Sequence, residues 1–347
     1  MNKNFIEGRM MIGFRVDANE VIATGHLMRC ISIALECKKR GQQCIFFIAE
    51  DKETERLRKA GFQYYILNSD WKNLDNEISE FQKILKNYRL NYLVVDSYQA
   101  TAGYLAALEE IQPVCYIDDL KREAYDVSVV IHYISPYKSS SYEEMYKNTH
   151  TQLLNDMKYA PLRPEFHYKK EKVIRQKSIL ITTGGTDFFN VAGKVAALCQ
   201  NSMQIKSYKI HLIIGSMNQH ETELEQLAEK YTNIILHKNI TNMSDYMRLC
   251  EVAVSAGGTT LLELCACKIP TVCFSFADNQ VKFANDMGKI GAVKYVGDVR
   301  KIEDIENKIV KQLLIFIKNE EERKKYADCM GKLIDGHGTE RIADVLC

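Results

Sequence analysis

The chain has 347 residues, 46% of them hydrophobic and 26% charged, with a formal net charge of +1. The length suggests two domains and the composition a soluble globular protein. A balance this close to neutral leaves no electrostatic case for nucleic acid as a partner, and basic runs such as Lys38-Lys39-Arg40 and Arg323-Lys324-Lys325 read as solvated helix faces.

Eleven cysteines form no Cys-x-x-Cys pair. Cys265 and Cys267 diverge on a helix, and Cys30, Cys115, Cys250 and Cys273 sit in apolar runs as core packing. With no signal peptide and no apolar run of transmembrane length, a cytoplasmic enzyme with free thiols and no stable membrane insertion is expected. Residues 1–9 read as a leader before the first strand. Ile6-Glu7-Gly8-Arg9 is of the kind used as an engineered protease site, so residues 1–10 stay outside the fold reading.

The first strand, 11–16, ends in Arg15-Val16-Asp17. A loop then runs through Ala23-Thr24-Gly25-His26 into a helix over 26–40. His26 therefore stands at a helix N-terminus on the carboxyl edge of a sheet. The dipole there disfavours imidazolium, and a neutral imidazole is what a general base needs. Asp17 either orients His26 or is itself the base; the plain alternative is that His26 is a loop residue packed on the sheet edge. Further strands follow at 44–48, 64–67, 92–95, 114–117 and 127–131, with helices over 53–60, 74–87 and 102–110 between them. Tyr98 follows a strand end in Asp96-Ser97-Tyr98, where polar groups are more often functional than elsewhere. Asp118-Asp119 reads as a solvated turn. The histidines at 132, 150, 167, 211, 220, 237 and 337 show no metal-ligand spacing.

A charged, proline-bearing stretch over 161–177 interrupts the alternation. It restarts with strands at 178–182, 209–214, 233–236, 252–255, 271–274 and 293–295. Helices are expected over 191–200, 221–231, 243–249, 259–266, 281–290, 302–318 and 320–334. Short continuous apolar strands alternating with helices make parallel sheets covered on both faces. Two doubly wound domains, 10–165 and 166–347, are the natural solution, with ligands outside the carboxyl ends of the strands. Thr183-Gly184-Gly185-Thr186-Asp187 opens the second domain, and Asp187 and Asn190 read as caps of the next helix. Ser255-Ala256-Gly257-Gly258-Thr259-Thr260-Leu261-Leu262-Glu263 reads as strand, glycine turn, helix. Such a turn seats a diphosphate on backbone N–H groups without a lysine or metal, and Glu263 stands where a ribose could lie. It matches neither a Walker loop nor a dinucleotide fingerprint. Thr260-x-x-Glu263 also fits a capping box, in which both side chains serve the backbone only.

Taken together, Arg15-x-Asp17, Gly25-His26-x-x-Arg29, Asp96-x-Tyr98, Tyr159-Ala160-x-Leu162-Arg163-x-Glu165-Phe166, Gly184-Gly185-x-Asp187, the Ser255–Glu263 segment, Asp278-Asn279-Gln280 and Asp335-Gly336-x-Gly338-x-Glu340-Arg341-Ile342 resemble the UDP-sugar hydrolases of the pseudaminic-acid pathway. The resemblance runs from about Ile12 to Ile342, although the second-domain motifs are shared with GT-B glycosyltransferases. It implies an α/β GT-B fold, two Rossmann-like doubly wound domains facing a cleft, with UDP held mainly by the second. It implies metal-independent, inverting cleavage of UDP-2,4-diacetamido-2,4,6-trideoxy-β-L-altropyranose at the anomeric carbon, with no cofactor, by a monomer. His26 is then catalytic with Asp17 beside it. Tyr98, Asn279, Gln280 and Arg15 fall to the sugar, and Gly25, Gly184, Gly185, Gly257, Gly258, Thr259, Thr260 and Glu263 to UDP. One position departs: Ala23 stands where the family loop carries its first glycine. The residues support the chemistry on their own terms, since hydrolysis needs a base and a stabilised diphosphate, and UDP is a good leaving group. A glycosyltransferase with a separate acceptor and a non-catalytic nucleotide-sugar binder are the other readings.

Overall fold

The computed structural model describes residues 10–22, 24–137, 140–167, 174–215, 217–240 and 242–347. Ala23 and the 1–9 leader lie outside them. The chain forms two compact units: the part up to Arg163 together with His337–Cys347, and Pro164–Gly336.

The first unit holds strands β1 Met11–Val16, β2 Gln43–Ile48, β3 Gln63–Ile66, β4 Leu90–Asp96, β5 Val114–Ile117, β6 Val129–His132 and β7 Gln152–Asn155. They form one sheet in the order β3-β2-β1-β4-β5-β6-β7, with every pairing parallel. Helices α1 Gly25–Lys39, α2 Thr54–Ala60, α3 Ile78–Leu85, α4 Ala102–Glu109 and α5 Ser140–Tyr146 connect them. β1, β5 and β6 are buried almost throughout, as central parallel strands covered on both faces must be, whereas edge strand β3 alternates between exposed and half-buried residues. Phe47, Phe81, Leu93, Tyr104 and Tyr116 fill one side of this core.

The second unit repeats the plan with β8 Gln176–Thr182, β9 Lys209–Ile213, β10 Ile234–His237, β11 Cys250–Ala256, β12 Thr271–Ser275 and β13 Lys294–Asp298, in the order β10-β9-β8-β11-β12-β13. Its helices are α6 Val191–Cys199, α7 Met203–Lys206, α8 Glu221–Lys230, α9 Met243–Leu249, α10 Thr260–Ala266, α11 Asp278–Lys289, α12 Ile305–Lys318 and α13 Glu320–Leu333. Ile309, Leu313 and Phe316 of α12 pack on Ile179, Ile181, Val252 and Val254 of the sheet. In both sheets the strand order reverses beside the first strand, between β1 and β4 and between β8 and β11. The connections leave those two neighbours toward opposite faces, so the loops at their carboxyl ends open a crevice, the usual place for a ligand in an open α/β sheet.

All strands expected from sequence are present, within three residues at each end. The expected helix over 74–87 divides into a 3₁₀ turn, Leu74–Glu77, and α3. The domain division needs a correction. The last residues, expected in the second domain, form α14 Gly338–Leu346 and pack with the first unit. α14 buries Ile342, Ala343 and Leu346 on one face and lies along α1. Arg40 of α1 binds it twice, through Nη1 to the Asp344 carboxylate at 2.7 Å and through Nη2 to the Glu340 carbonyl at 2.8 Å. All eleven cysteines are free, nine of them buried. Among the described residues no helix is long and apolar enough to cross a membrane.

The seat of α14 is tight at its first residue. A Cβ at Gly338 would lie 2.0 Å from the Ala160 carbonyl oxygen and 2.6 Å from its carbon. Backbone cannot rotate away as a side chain can, so Gly338→Ala should cost about 1–3 kcal/mol, the usual range for overpacking. The measurement is urea unfolding of the variant beside the parent; equal midpoints would mean the contact relaxes freely.

Candidate functional site

At the switch point of the first unit, His26 occupies the first turn of α1 and Asp96 ends β4. The His26 Nδ1 lies 2.6 Å from Asp96 Oδ1. Arg29, one turn along the same helix, grips that carboxylate with Nε on Oδ2 and Nη2 on Oδ1, both at 2.5 Å. The buried Cys30 thiol adds a weak bond to Oδ2 at 3.6 Å. Asp96 is 1% exposed. Burial would raise its pKa, but the Arg29 guanidinium and His26 outweigh this and hold it well below the ordinary carboxylate range. An ionised Asp96 can only accept. Arg29 Nη2 also stands 3.0 Å from Nδ1, but the shorter contact to Asp96 makes Nδ1–H the donor to it, so a neutral ring carries its lone pair on Nε2. The arrangement is an imidazole oriented by a buried carboxylate.

Around this pair Tyr98 meets the His26 ring edge-on, with centroids 4.6 Å apart at 85°. Its hydroxyl donates to Asp119 Oδ2 at 3.2 Å, and it is 39% exposed. Arg29 Nη1 also donates to Asp119 Oδ2, at 2.8 Å, and to the Tyr133 hydroxyl. Asp118 and Asp119 are thus not the solvated turn expected from sequence. Asp118 is fully buried and takes the Leu120 and Lys121 N–H groups and the Tyr142 hydroxyl. The Asp119 side chain is 5% exposed, and burial raises its pKa against the pull of Arg29.

Asp17 and Arg15 have a different task from the one expected. Arg15 is fully buried, so it meets no sugar. Its guanidinium binds Glu77 through Nε at 2.6 Å and Nη2 at 3.1 Å, and Asp17 through Nη1 at 2.6 Å. Asp17 spends its other oxygen on the Ala49 N–H at 2.7 Å. Glu77 also accepts from the hydroxyls of Tyr104, at 2.6 Å, and Ser69. This closed network ties β1 to the 3₁₀ turn and α4, and the carboxylate orienting His26 is Asp96. Sequence reasoning missed that role, although a polar residue closing a buried strand and an arginine three residues after a histidine on one helix were both legible.

In the second unit, Gly184 follows β8 with φ +84°, where only glycine sits without strain, and the backbone at Gly215 presses against it. Asp187 caps α6 as expected: its two oxygens accept the N–H groups of Val191 at 2.9 Å and Ala192 at 3.0 Å. Asn190 instead gives its amide to Glu223 at 2.6 Å. On the neighbouring strand, Gly257 is glycine for space, since a Cβ there would lie 2.7 Å from Ala284 Cβ of α11. The N-cap position of α10 is Thr259, whose side chain makes no cap bond. The N–H groups of Thr259 and Thr260 have no partner within the helix, as at any helix start. Gln280 stands over this turn, its Oε1 accepting the Phe276 N–H at 3.1 Å. Asn279 is exposed beside it in the first turn of α11, while Asp278 pairs with Arg300 at 2.7 Å. Gly184, Gly185, Gly257, Gly258, Thr259, Thr260 and Gln280 thus gather at adjacent strand ends of one sheet. Gly25 opens α1, with nothing within 4 Å of an added Cβ.

Residues 178–335 match the glycosyltransferase family 28 C-terminal domain. An uncharacterized protein of Methanocaldococcus jannaschii is 26% identical over 76% of this chain and 55% of its own length. A Helicobacter pylori protein named pseudaminic acid cytidylyltransferase and UDP-2,4-diacetamido-2,4,6-trideoxy-beta-L-altropyranose hydrolase is 21% identical over 90% of this chain and 53% of its own length. The chain spans about half the length of these curated relatives. Among solved structures, MurG of Acinetobacter baumannii superposes with a TM-score of 0.67 at 14% identity, covering 97% of this chain and 99% of that one. The two parallel-sheet Rossmann-like units are those of the GT-B fold.

The buried Arg15 network predicts a stability effect rather than a binding effect. Arg15→Met leaves Glu77 and Asp17 buried without their cation, which typically costs about 3–5 kcal/mol. Urea unfolding should register this loss. An Arg15→Met protein of unchanged stability would show that the carboxylates find other donors.

Proposed function

We propose that this protein hydrolyses a UDP-sugar at its anomeric carbon, releasing UDP and the free sugar, and that the substrate is a diacetamido-trideoxy hexose such as the altropyranose in the name of its Helicobacter relative. The observation that carries the proposal is the His26–Asp96 contact at 2.6 Å. It leaves Nε2 as a proton acceptor at the carboxyl edge of a Rossmann-like sheet. In this reaction a water oxygen forms the new bond to the anomeric carbon and Nε2 takes the water's proton. The bond from that carbon to the β-phosphate oxygen breaks, and its electron pair leaves with UDP. Asp96 stabilises the imidazolium, as the carboxylate does in a Ser-His-Asp triad. The diphosphate is assigned to the Thr259 and Thr260 N–H groups, with Gly184, Gly185, Gly257 and Gly258 leaving room for it, and the ribose to Glu263. Tyr98, Asn279 and Gln280 are assigned to the sugar, and Gly25 to the nucleotide side of the His26 loop. The chemistry asks for no cofactor.

A transferase is the second reading, favoured by the family 28 match over 178–335. The same base would then take the proton of an acceptor hydroxyl. Incubation with a UDP-sugar and NMR of the product separates the two, since only the hydrolase yields free sugar without an added acceptor.

His26→Asn should lower turnover by about two to four powers of ten, the usual contribution of a general base, with the melting temperature little changed. Near-normal turnover in the folded variant would remove His26 from the mechanism.

Turnover should survive EDTA, because the diphosphate seat offers backbone N–H groups rather than metal ligands. Abolition by chelation and rescue by Mg²⁺ or Mn²⁺ would replace this mechanism with a metal-assisted one.

A further inference from the structure

Asp119 reaches the surroundings of His26 through two groups, Arg29 and Tyr98, both bonded to its Oδ2. Among the described residues its buried Oδ1 has no hydrogen-bond partner. The Asp119 side chain is only 5% exposed, so solvent screens its charge from its neighbours less than it would at the surface. Among the described residues, these groups either touch His26 or bond to the groups that do. Arg29 and the Cys30 thiol come from α1, Asp96 from β4, Tyr98 from the loop after it, Asp119 from the end of β5 and Tyr133 from the end of β6. Arg15 of β1 is paired with both Asp17 and Glu77. With a neutral imidazole, the two carboxylates and one guanidinium leave a net charge of −1. A proton on His26 brings that charge to zero.

We propose that Asp119 is a positioning residue that raises the basicity of His26 and fixes the hydrogen-bond polarity of Tyr98. The proposal rests on the reading of His26 as a proton acceptor. A carboxylate oxygen can only accept, so the Tyr98 hydroxyl proton is committed to Asp119. The phenol oxygen then has only lone pairs to offer a ligand. The group it meets must be a donor, such as an acetamido N–H or a sugar hydroxyl, and a bare carbonyl is excluded. Asp119 thereby links the strength of the base to the recognition of the sugar.

The test is NMR titration of the His26 imidazole in the full chain, assigned by comparison with His26→Asn. Asp119→Asn should lower the His26 pKa by about 0.5–1 unit, as expected for a charge lost several ångströms away at partly buried positions. Asp119→Glu should restore it, and Tyr98→Phe, which cuts the link but leaves the charge, should not move it. The acid limb of kcat/KM against pH should shift to lower pH by the same amount in Asp119→Asn. An unshifted His26 titration in folded Asp119→Asn overturns the proposal, as does a shift in Asp119→Glu as large as that in Asp119→Asn. If neither Asp119→Asn nor Asp119→Ser folds, Asp119 is a structural anchor and the proposal falls. The titration needs no substrate, so its failure is distinct from that of the hydrolase reading, which fails if the parent protein releases no UDP.

Discussion

The ion pair between Arg29 and Asp96 is the constraint on which the first unit's site depends. Asp96 closes a central strand and is buried, so its charge survives only because donors replace the water it has lost. Arg29 supplies two of them in the bidentate geometry at which guanidinium excels. The charge so retained holds His26 in the tautomer a base requires. Each partner sits on a rigid element, α1 or β4, beside the point where the strand order reverses. Removing Arg29 would leave burial to dominate Asp96. A protonated Asp96 could donate to Nδ1, and the lone pair would then be on the wrong nitrogen.

The second unit reaches a comparable edge by different physics. Its determinants are space and backbone rather than paired charge. Gly184 takes a left-handed conformation, Gly257 allows α11 to approach, and Gly215 allows one loop to lie against another. These features bring backbone N–H groups to the surface at a helix start, where they suit an anion. Asp187, next to the Gly184–Gly185 turn, is turned inward to cap α6.

The strands and most helices were legible because parallel strands buried on both faces are continuous apolar runs, and their alternation with helices admits few topologies. His26, Tyr98 and the glycine turns were legible because they follow strand ends. What escaped depends on contacts far apart in sequence. Arg15 looks like a substrate cation beside Asp17 until Glu77, 62 residues on, is seen to bind it. Asp96 lies 70 residues from His26, and Asp119 lies 90 from Arg29. No helix was expected over 338–346, and those residues were placed with their sequence neighbours because nothing local says which face of which unit Ile342, Ala343 and Leu346 will meet. Spacing identifies residues at an edge; only the folded chain shows which of them face one another.

The dyad also bears on how one fold can serve both hydrolysis and transfer. In the proposed reaction Nε2 would take a proton from whatever O–H is presented to it, so such a base would not distinguish water from a sugar hydroxyl. Discrimination has to come from groups that fix what stands beside the base. Tyr98 is such a group: exposed, against the His26 ring, and committed by Asp119 to accept rather than donate. A group of fixed polarity, once a bound ligand covers it, rejects a mismatched partner more strongly than an apolar surface does, because the mismatch leaves something unpaired. Under the proposed function, specificity in this unit would be set in the loops after β4 and β5 and the capacity for chemistry by α1 and the end of β4, so the two could vary separately on an unchanged sheet.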